Sequence, residues 1–222
     1  MNRIIVIGGI VACFALGGLW YLTGTGSAPG LDLPSSANAQ SADIDTSIVE
    51  EMSIGNPDAP VTVIEYASYT CPHCARFHQG AFKDLQADYI DTGKINFVYR
   101  EVYFDKFGLW AGLLARCGGT TDRYFAITDL LYENQSTWSR ADNEGGIARN
   151  LMQLGRTAGF SDEQMQSCLQ DQTMAQALVA TYQKNATEHG IRSTPSFVIN
   201  GELYSNMSYS EFQRVLAEAG AE

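Results

Sequence analysis

The pattern of apolar and polar positions predicts an α/β unit near the start of the folded region. Residues 61–67, VTVIEYA, form an apolar and partly β-branched run of the kind that buried strands show. Apolar side chains then recur at helical spacing over residues 77–89, and residues 95–102, INFVYREV, form a second strand-like run. A strand, a helix and a strand of these lengths predict a βαβ unit in which the two strands are parallel.

Helical periodicity replaces the strand pattern over residues 105–188. Within this stretch, Ser161 and Gln164 have the spacing of a capping box, which marks the start of a helix. Residues 196–204 then predict a strand, a hairpin turn and a return strand, and residues 210–219 predict a final helix.

The expected fold class is α/β, with an all-helical insertion in a discontinuous domain. Its α/β part comprises residues 52–104 and 189–222, and the insertion comprises residues 105–188. Residues 24–51 are rich in Gly, Ser, Ala and Pro, as flexible tethers are. This tether is too small to hold a folded dimerisation domain, so we expect a monomer.

The first segment, residues 1–23, predicts a membrane anchor or a signal. Residues 4–22 carry no charge and are long enough to span a bilayer as a helix. Arg3 would stay on the cytoplasmic side, so the rest of the chain would lie outside the cytoplasm. A cleaved signal is the alternative, but its best cleavage site lies at residues 37–39, far beyond the apolar run, which favours an uncleaved anchor.

The charge of the chain excludes one broad class of function. The 222 residues carry a net charge of −11 with a pI near 4.6, and the sequence contains no run of basic residues. Binding of nucleic acid depends on Lys and Arg side chains that neutralise phosphates. We therefore expect no nucleic acid partner, and the acidity itself indicates mainly solubility.

A Cys-Pro-His-Cys motif follows the first predicted strand. Pro72 is favoured at the first position of a helix, so Cys71 is expected at the helix N-terminus. Free N–H groups and the helix dipole there stabilise a thiolate, which is the form that attacks disulfides. Cys74, one turn later, can resolve a mixed disulfide, and the His73 ring can donate a hydrogen bond or carry a positive charge. Half of a structural zinc site is the alternative, but the strand–motif–helix context favours redox exchange.

Three features together resemble the DsbA family of extracytoplasmic thiol:disulfide oxidoreductases, over residues 52–220. They are an acidic residue six positions before a Cys-Pro-His-Cys motif, the long helical insertion, and a Thr-Pro pair that opens a strand. The residues concerned are Glu65, Cys71, Pro72, His73, Cys74, Thr194 and Pro195.

The resemblance implies a thioredoxin-like fold and an enzyme of thiol–disulfide exchange that needs no cofactor and no metal. In this family the disulfide of the motif passes to reduced exported polypeptides, and a quinone-linked membrane oxidase restores it. Pro72 and His73 form the oxidase-type pair of the family. The implied location is periplasmic or otherwise extracytoplasmic, with a tether to the inner membrane. A disulfide isomerase, a membrane-tethered reductive thioredoxin-like protein and a non-catalytic peptide-binding module are the alternatives.

The resemblance also implies a catalytic position for Pro195 and supporting roles for Thr194 and Glu65. The bond before Pro195 is expected to be cis and to face the cysteine pair, with the Thr194 backbone ready to pair with an extended substrate segment. An ordinary trans proline at a strand start is the alternative. Glu65 is expected behind the cysteines, where it accepts the Cys74 proton or modulates that thiol, and where desolvation favours its protonated form. Its alternative is a strand residue that faces solvent.

The remaining candidates lie near the motif and in the insertion. His78 departs from the family, whose better-known members have an acidic residue there, and both an exposed helix histidine and a functional role stay open. An exported location favours a disulfide between Cys117 and Cys168, which would close a loop of about 50 residues. Two buried free thiols, or a four-cysteine zinc site that also uses Cys71 and Cys74, are the alternatives.

Overall fold

A five-stranded mixed sheet lies at the centre of the part of the chain that the structure describes, residues 44–221 of this computed structural model. The predicted anchor, and the tether up to residue 43, lie outside these residues. Among residues 44–221, no helix combines the length and the apolar character that a membrane crossing requires.

The sheet has the strand order β1-β3-β2-β4-β5. Its strands are β1 Met52–Gly55, β2 Val61–Ala67, β3 Ile95–Glu101, β4 Ser196–Ile199 and β5 Glu202–Ser205. The pair β2 and β3 is parallel, whereas β1–β3, β2–β4 and β4–β5 are antiparallel. The predicted βαβ unit is confirmed. Strand β1 was not predicted, because four residues are too few to show a period of two and the strand forms by pairing with a distant partner.

Helices cover the sheet. Within residues 44–221 they are α1 Pro72–Gln79, α2 Ala81–Leu85, α3 Lys106–Arg116, α4 Thr121–Glu133, α5 Gln135–Trp138, α6 Glu144–Thr157, α7 Asp162–Leu169, α8 Gln172–Glu188 and α9 Tyr209–Ala219. Six of them, α3 to α8, lie between β3 and β4 in the chain, which confirms the α/β class and its large helical content. The capping box predicted from Ser161 and Gln164 is present at the start of α7.

The helix that follows the cysteine motif is interrupted, which the sequence pattern did not predict. Between α1 and α2, Gly80 has φ −128° and ψ −104°, so the helical hydrogen-bond ladder stops there. A Cβ at this position would lie 3.2 Å from the carbonyl oxygen of Arg76, closer than side chains usually approach. Residues Gln86–Ile90 continue as a π-helical turn. The predicted continuous helix is therefore wrong. The apolar pattern did not reveal the break, because apolar residues on both sides of Gly80 face the same core.

Burial on both faces explains why β2 reads as a nearly continuous apolar run. Val61, Val63 and Ala67 belong to the main core, where the aromatic side chains of α1 and α9 pack against β4. Tyr66 packs on the opposite face with Val198 and with the partly buried Tyr182 of α8. Strands in parallel pairs are normally covered on both faces in this way. The carboxyl end of β2 therefore emerges from a rigid layer and leads directly into the cysteine motif.

Cys117 and Cys168 form a disulfide that joins the end of α3 to α7, with a Cα–Cα distance of 5.7 Å. Both sulfurs are used in this bond. The free-thiol alternative and the four-cysteine zinc site are therefore not what the structure has.

Loss of this bridge is expected to lower stability. The two cysteines are 51 residues apart, for which loop-closure entropy gives roughly 4 kcal/mol. Urea unfolding would compare a Cys71→Ala/Cys74→Ala parent with the same protein carrying Cys117→Ala/Cys168→Ala. A reductant should destabilise the parent by a similar amount and leave the quadruple variant unchanged. Equal stability of the two proteins would contradict the prediction.

Candidate active site

Cys71 occupies the N-cap of α1, as the sequence predicts. Its backbone is extended, with φ −81° and ψ 119°, and Pro72 starts the helix. The Cys71 carbonyl accepts the first helical bond, from the N–H of Ala75 at 3.2 Å. The first turn of α1 contains no acidic side chain, so its free N–H groups and the positive end of its dipole remain available to a sulfur anion.

The register of the sheet brings the Thr194–Pro195 loop to the cysteine motif. Tyr66 at the end of β2 pairs with Ser196 at the start of β4, so the segments that follow and precede these residues meet at one edge. The Thr194–Pro195 peptide bond is cis. Cys71, as a thiol, donates a hydrogen bond to the carbonyl oxygen of Thr194, with an Sγ–O distance of 3.3 Å.

Hydrogen-bond donors converge on the Cys71 sulfur and lower the pKa of this thiol from 9.0 to about 5. The Cys74 thiol contributes most. The side chain of Thr194 and the backbone N–H groups of Cys74 and His73 add to its effect, and partial burial opposes them. The hydroxyl oxygen of Thr194 is buried without another hydrogen-bond partner in residues 44–221, so it is free to face the thiolate.

Cys74 has the opposite character. Its side chain is fully buried, and burial raises the pKa of its thiol far above the usual value, with the hydrogen bond to Cys71 and the charge of Glu65 acting in the same direction. Both sulfurs are free thiols in the structure. At neutral pH the motif therefore pairs a partly exposed thiolate with a buried thiol.

Glu65 and His78 form a buried pair behind the motif. Nε2 of His78 lies 2.9 Å from Oε2 of Glu65, and the side chains are 1% and 0% exposed. The imidazole stacks on Tyr132, with ring centroids 4.2 Å apart, and contacts Phe82. The solvent-facing alternative for Glu65 and the exposed alternative for His78 are both wrong, because β2 is covered on both faces and α1 turns His78 toward it.

The ring of His73 is exposed and lies against Arg76, with 2.7 Å between Nδ1 and Nη2. A guanidinium can only donate hydrogen bonds, so Nδ1 of His73 is the acceptor. The cation beside the motif is Arg76, which the sequence reasoning did not single out.

Within residues 44–221, no group of three or more His, Cys, Asp or Glu side chains is placed to hold a metal ion. The zinc alternative for the motif thus has no further ligands in this part of the chain.

Comparison with known proteins places this arrangement in a family. The family model for thioredoxin matches residues 47–218. The chain belongs to the thioredoxin family. A relative from Rickettsia bellii, provisionally named a protein-disulfide oxidoreductase, is 34% identical over 169 residues, which are 76% of this chain and 64% of the relative. Disulfide bond formation protein D of Bacillus subtilis is 26% identical over 167 residues, 73% of this chain and 74% of that protein.

Solved structures share the thioredoxin-like fold. The crystal structure of α-DsbA1 from Wolbachia pipientis superposes with a TM-score of 0.70 at 24% identity, over 77% of this chain and 90% of that one. The resemblance to DsbA proteins predicted from the sequence is confirmed. This chain spans just under two thirds of the length of the Rickettsia bellii relative.

One further polar residue reaches the thioredoxin-type motif and was missed by the sequence reasoning. The side chain of Gln135, at the start of α5, donates from Nε2 to the carbonyl oxygens of Tyr69 and Cys71. No sequence signal marks this residue, because it lies more than 60 positions beyond the motif.

A pH titration of the reduced protein is expected to give a pKa of about 5 for Cys71. Ultraviolet absorbance of the thiolate would follow it. Cys74→Ala removes the largest stabilising donor and should raise this pKa. Cys117→Ala/Cys168→Ala is the control and should leave the titration unchanged. A Cys71 pKa near 9 would contradict the site described above.

The same shift predicts how stability changes with pH. The folded protein holds the Cys71 pKa below its value in the unfolded chain, so between pH 5 and 9 the unfolded state binds more protons. The stability of the reduced protein relative to the oxidised protein therefore rises with pH over this range, and the gain is lost as the pH falls through 5. Thermal unfolding of both forms at several pH values measures this difference.

Proposed function

We propose that this protein is a thiol–disulfide oxidoreductase that donates its Cys71–Cys74 disulfide to reduced exported polypeptides. The observation that carries the proposal is the contrast between the two sulfurs. A depressed Cys71 pKa stabilises the reduced protein, and stabilisation of the reduced form makes the corresponding disulfide a stronger oxidant.

In the proposed reaction, a thiolate of the client attacks Sγ of Cys71 in the disulfide. The Cys71–Cys74 bond breaks, a mixed disulfide forms, and Cys74 leaves as a thiolate that takes up a proton because its pKa is raised. A second client thiolate then attacks the client sulfur of the mixed disulfide. The client disulfide forms, Cys71 is released as a stabilised thiolate, and two electrons have passed from the client to the protein.

The client is proposed to bind as an extended segment beside Thr194. The loop before β4 lies against Cys71, and strand-like pairing with its backbone would hold a client sulfur next to Sγ of Cys71. This mode recognises the backbone of the client rather than its side chains, which suits an enzyme with many clients.

The proposed setting is extracytoplasmic, with the chain tethered by residues 4–22 and reoxidised by a quinone-linked membrane oxidase. The disulfide between Cys117 and Cys168 supports an oxidising compartment, since such bonds are rare in the cytosol. The proposal keeps the domain boundaries predicted from the sequence, with an α/β part at residues 52–104 and 189–222 and a helical insertion at residues 105–188.

Glu65 is proposed to accept the Cys74 proton when the disulfide is restored and to return it when a client is oxidised. Glu65→Gln removes this acceptor, so resolution of a mixed disulfide by Cys74 should slow by roughly tenfold or more. Stopped-flow decay of a preformed mixed disulfide measures the step. Glu51→Gln is the matched control, because Glu51 is an exposed carboxylate paired with Arg100. Equal rates in all three proteins would remove this role from Glu65.

Three assays run side by side test the function as a whole. We expect rapid oxidation of a reduced client and weak refolding of a scrambled client. We also expect this protein to reduce insulin more slowly than a reductive thioredoxin does. Cys71→Ala should abolish the first activity. Efficient refolding of the scrambled client would favour an isomerase. Failure of the unsubstituted oxidised protein to transfer its disulfide would overturn the proposal.

A further inference from the structure

The helical insertion holds the segment that ends at the reactive sulfur, which comprises Tyr69, Thr70 and Cys71. The side-chain nitrogen of Gln135 lies 2.7 Å from the carbonyl oxygen of Tyr69 and 3.0 Å from that of Cys71. Carbonyl oxygens can only accept, so the amide nitrogen of Gln135 must face them, and its two hydrogens match the two acceptors. The Gln135 side chain thus binds the carbonyl groups of the residues directly before and after Thr70.

Other contacts fix two of these residues, Tyr69 and Thr70, to different helices of the insertion. Thr70 donates from Oγ1 to Asp105 Oδ2 at 2.6 Å, and Asp105 is itself the N-cap of α3. The Tyr69 hydroxyl lies 2.8 Å from Oγ1 of Thr128 on α4. These contacts hold side chains, whereas Gln135 alone, among the hydrogen bonds of described side chains, binds the backbone of both Tyr69 and Cys71.

The direction of the Cys71 carbonyl matters because this group begins the hydrogen-bond ladder of α1. It accepts from the N–H of Ala75 at 3.2 Å and from Gln135 at 3.0 Å, so both bonds together fix the N-cap backbone. The position of Sγ relative to its donors follows from that backbone. Gln135 is 7% exposed, so water has little access to replace its hydrogen bonds.

We propose that Gln135 is a positioning residue through which the helical insertion aligns Cys71 with the donors that stabilise its thiolate. The proposal rests on the proposed function and adds a determinant from outside the α/β part of the chain. Gln135 does not touch the reacting sulfur. It acts through the peptide groups on either side of Thr70, and its loss would let the loop turn away from the helix N-terminus.

The groups that face the Cys71 sulfur are on other elements. The Cys74 thiol and the N–H of His73 belong to α1, and Thr194 belongs to the loop before β4. On the insertion side, the carboxylate of Asp105 is already bonded to Thr70 and to two N–H groups of α3. A change at Gln135 therefore reaches the sulfur through the backbone, with all of these groups still in place.

Two substitutions separate position from charge. Gln135→Glu keeps the shape but replaces the donors by a carboxylate that faces two carbonyl oxygens. Gln135→Met keeps the length, adds no charge and donates nothing. If the Cys71 pKa rises by about one unit in both, the thiolate fraction at pH 5 falls roughly fivefold, and alkylation of Cys71 at that pH slows in proportion.

Gln79→Glu is the matched control. Gln79 donates from Nε2 to the carbonyl oxygen of Tyr132 at 2.7 Å, so it also joins α1 to the insertion, but away from the nucleophile. Thiolate absorbance and the reduction potential against glutathione would be measured for the unsubstituted protein and the three variants. Only the Gln135 variants should raise the Cys71 pKa and lower the potential.

Each result decides between clear alternatives. An unchanged Cys71 pKa in Gln135→Met would overturn the positioning role. This holds even if Gln135→Glu shifts the Cys71 pKa, because the added negative charge alone would explain that shift. Equal shifts in the Gln79 control would overturn it as well, since general loosening would then suffice. If Gln135→Glu does not fold, Gln135→Met decides alone. An ordinary pKa in the unsubstituted protein would overturn the proposed function together with this inference.

Discussion

The stabilisation of a sulfur anion at the N-terminus of α1 is the interaction on which the rest of the site depends. A thiolate needs donors on several sides and enough exposure to meet a client. The helix supplies the backbone N–H groups of His73 and Cys74. The side chain of Cys74 supplies a thiol, and the loop before β4 supplies the side chain of Thr194. These donors meet only because β2 and β4 are paired in a register that places the end of β2 and the start of β4 at the same edge.

The same geometry makes the two sulfurs unequal, although one turn of helix separates them. Cys71 lies at the end of the helix, where backbone donors are unpaired, while Cys74 lies inside the core, where a charge would lose its hydration. Each unit of pKa difference corresponds to about 1.4 kcal/mol between protonation states. The difference in pKa between the two thiols therefore comes from burial and hydrogen bonds, and not from any added chemical group.

Local signals allowed much of this arrangement to be predicted from the sequence. The apolar runs of β2 and β3, the proline after Cys71 and the capping box of α7 each act within a few residues, where spacing alone carries the information. The break at Gly80 leaves the apolar spacing on both sides of it unchanged, whereas the burial of His78 and the contacts of Gln135 depend on distant segments. Gln135 is 64 positions from Cys71, and nothing near it in the sequence shows that α5 returns to the motif. The anchor and the domain boundaries stay predictions.

The buried pair of Glu65 and His78 shows how an apolar interior constrains the resolving step. A lone carboxylate behind Cys74 would place an uncompensated charge in surroundings that solvate it poorly. The imidazole, bonded at 2.9 Å and stacked on Tyr132, gives that carboxylate one strong partner. Oε1 of Glu65 and Nδ1 of His78 have no hydrogen-bond partner in residues 44–221. A histidine at position 78 therefore gives Glu65 a partner without placing a second negative charge beside Cys74.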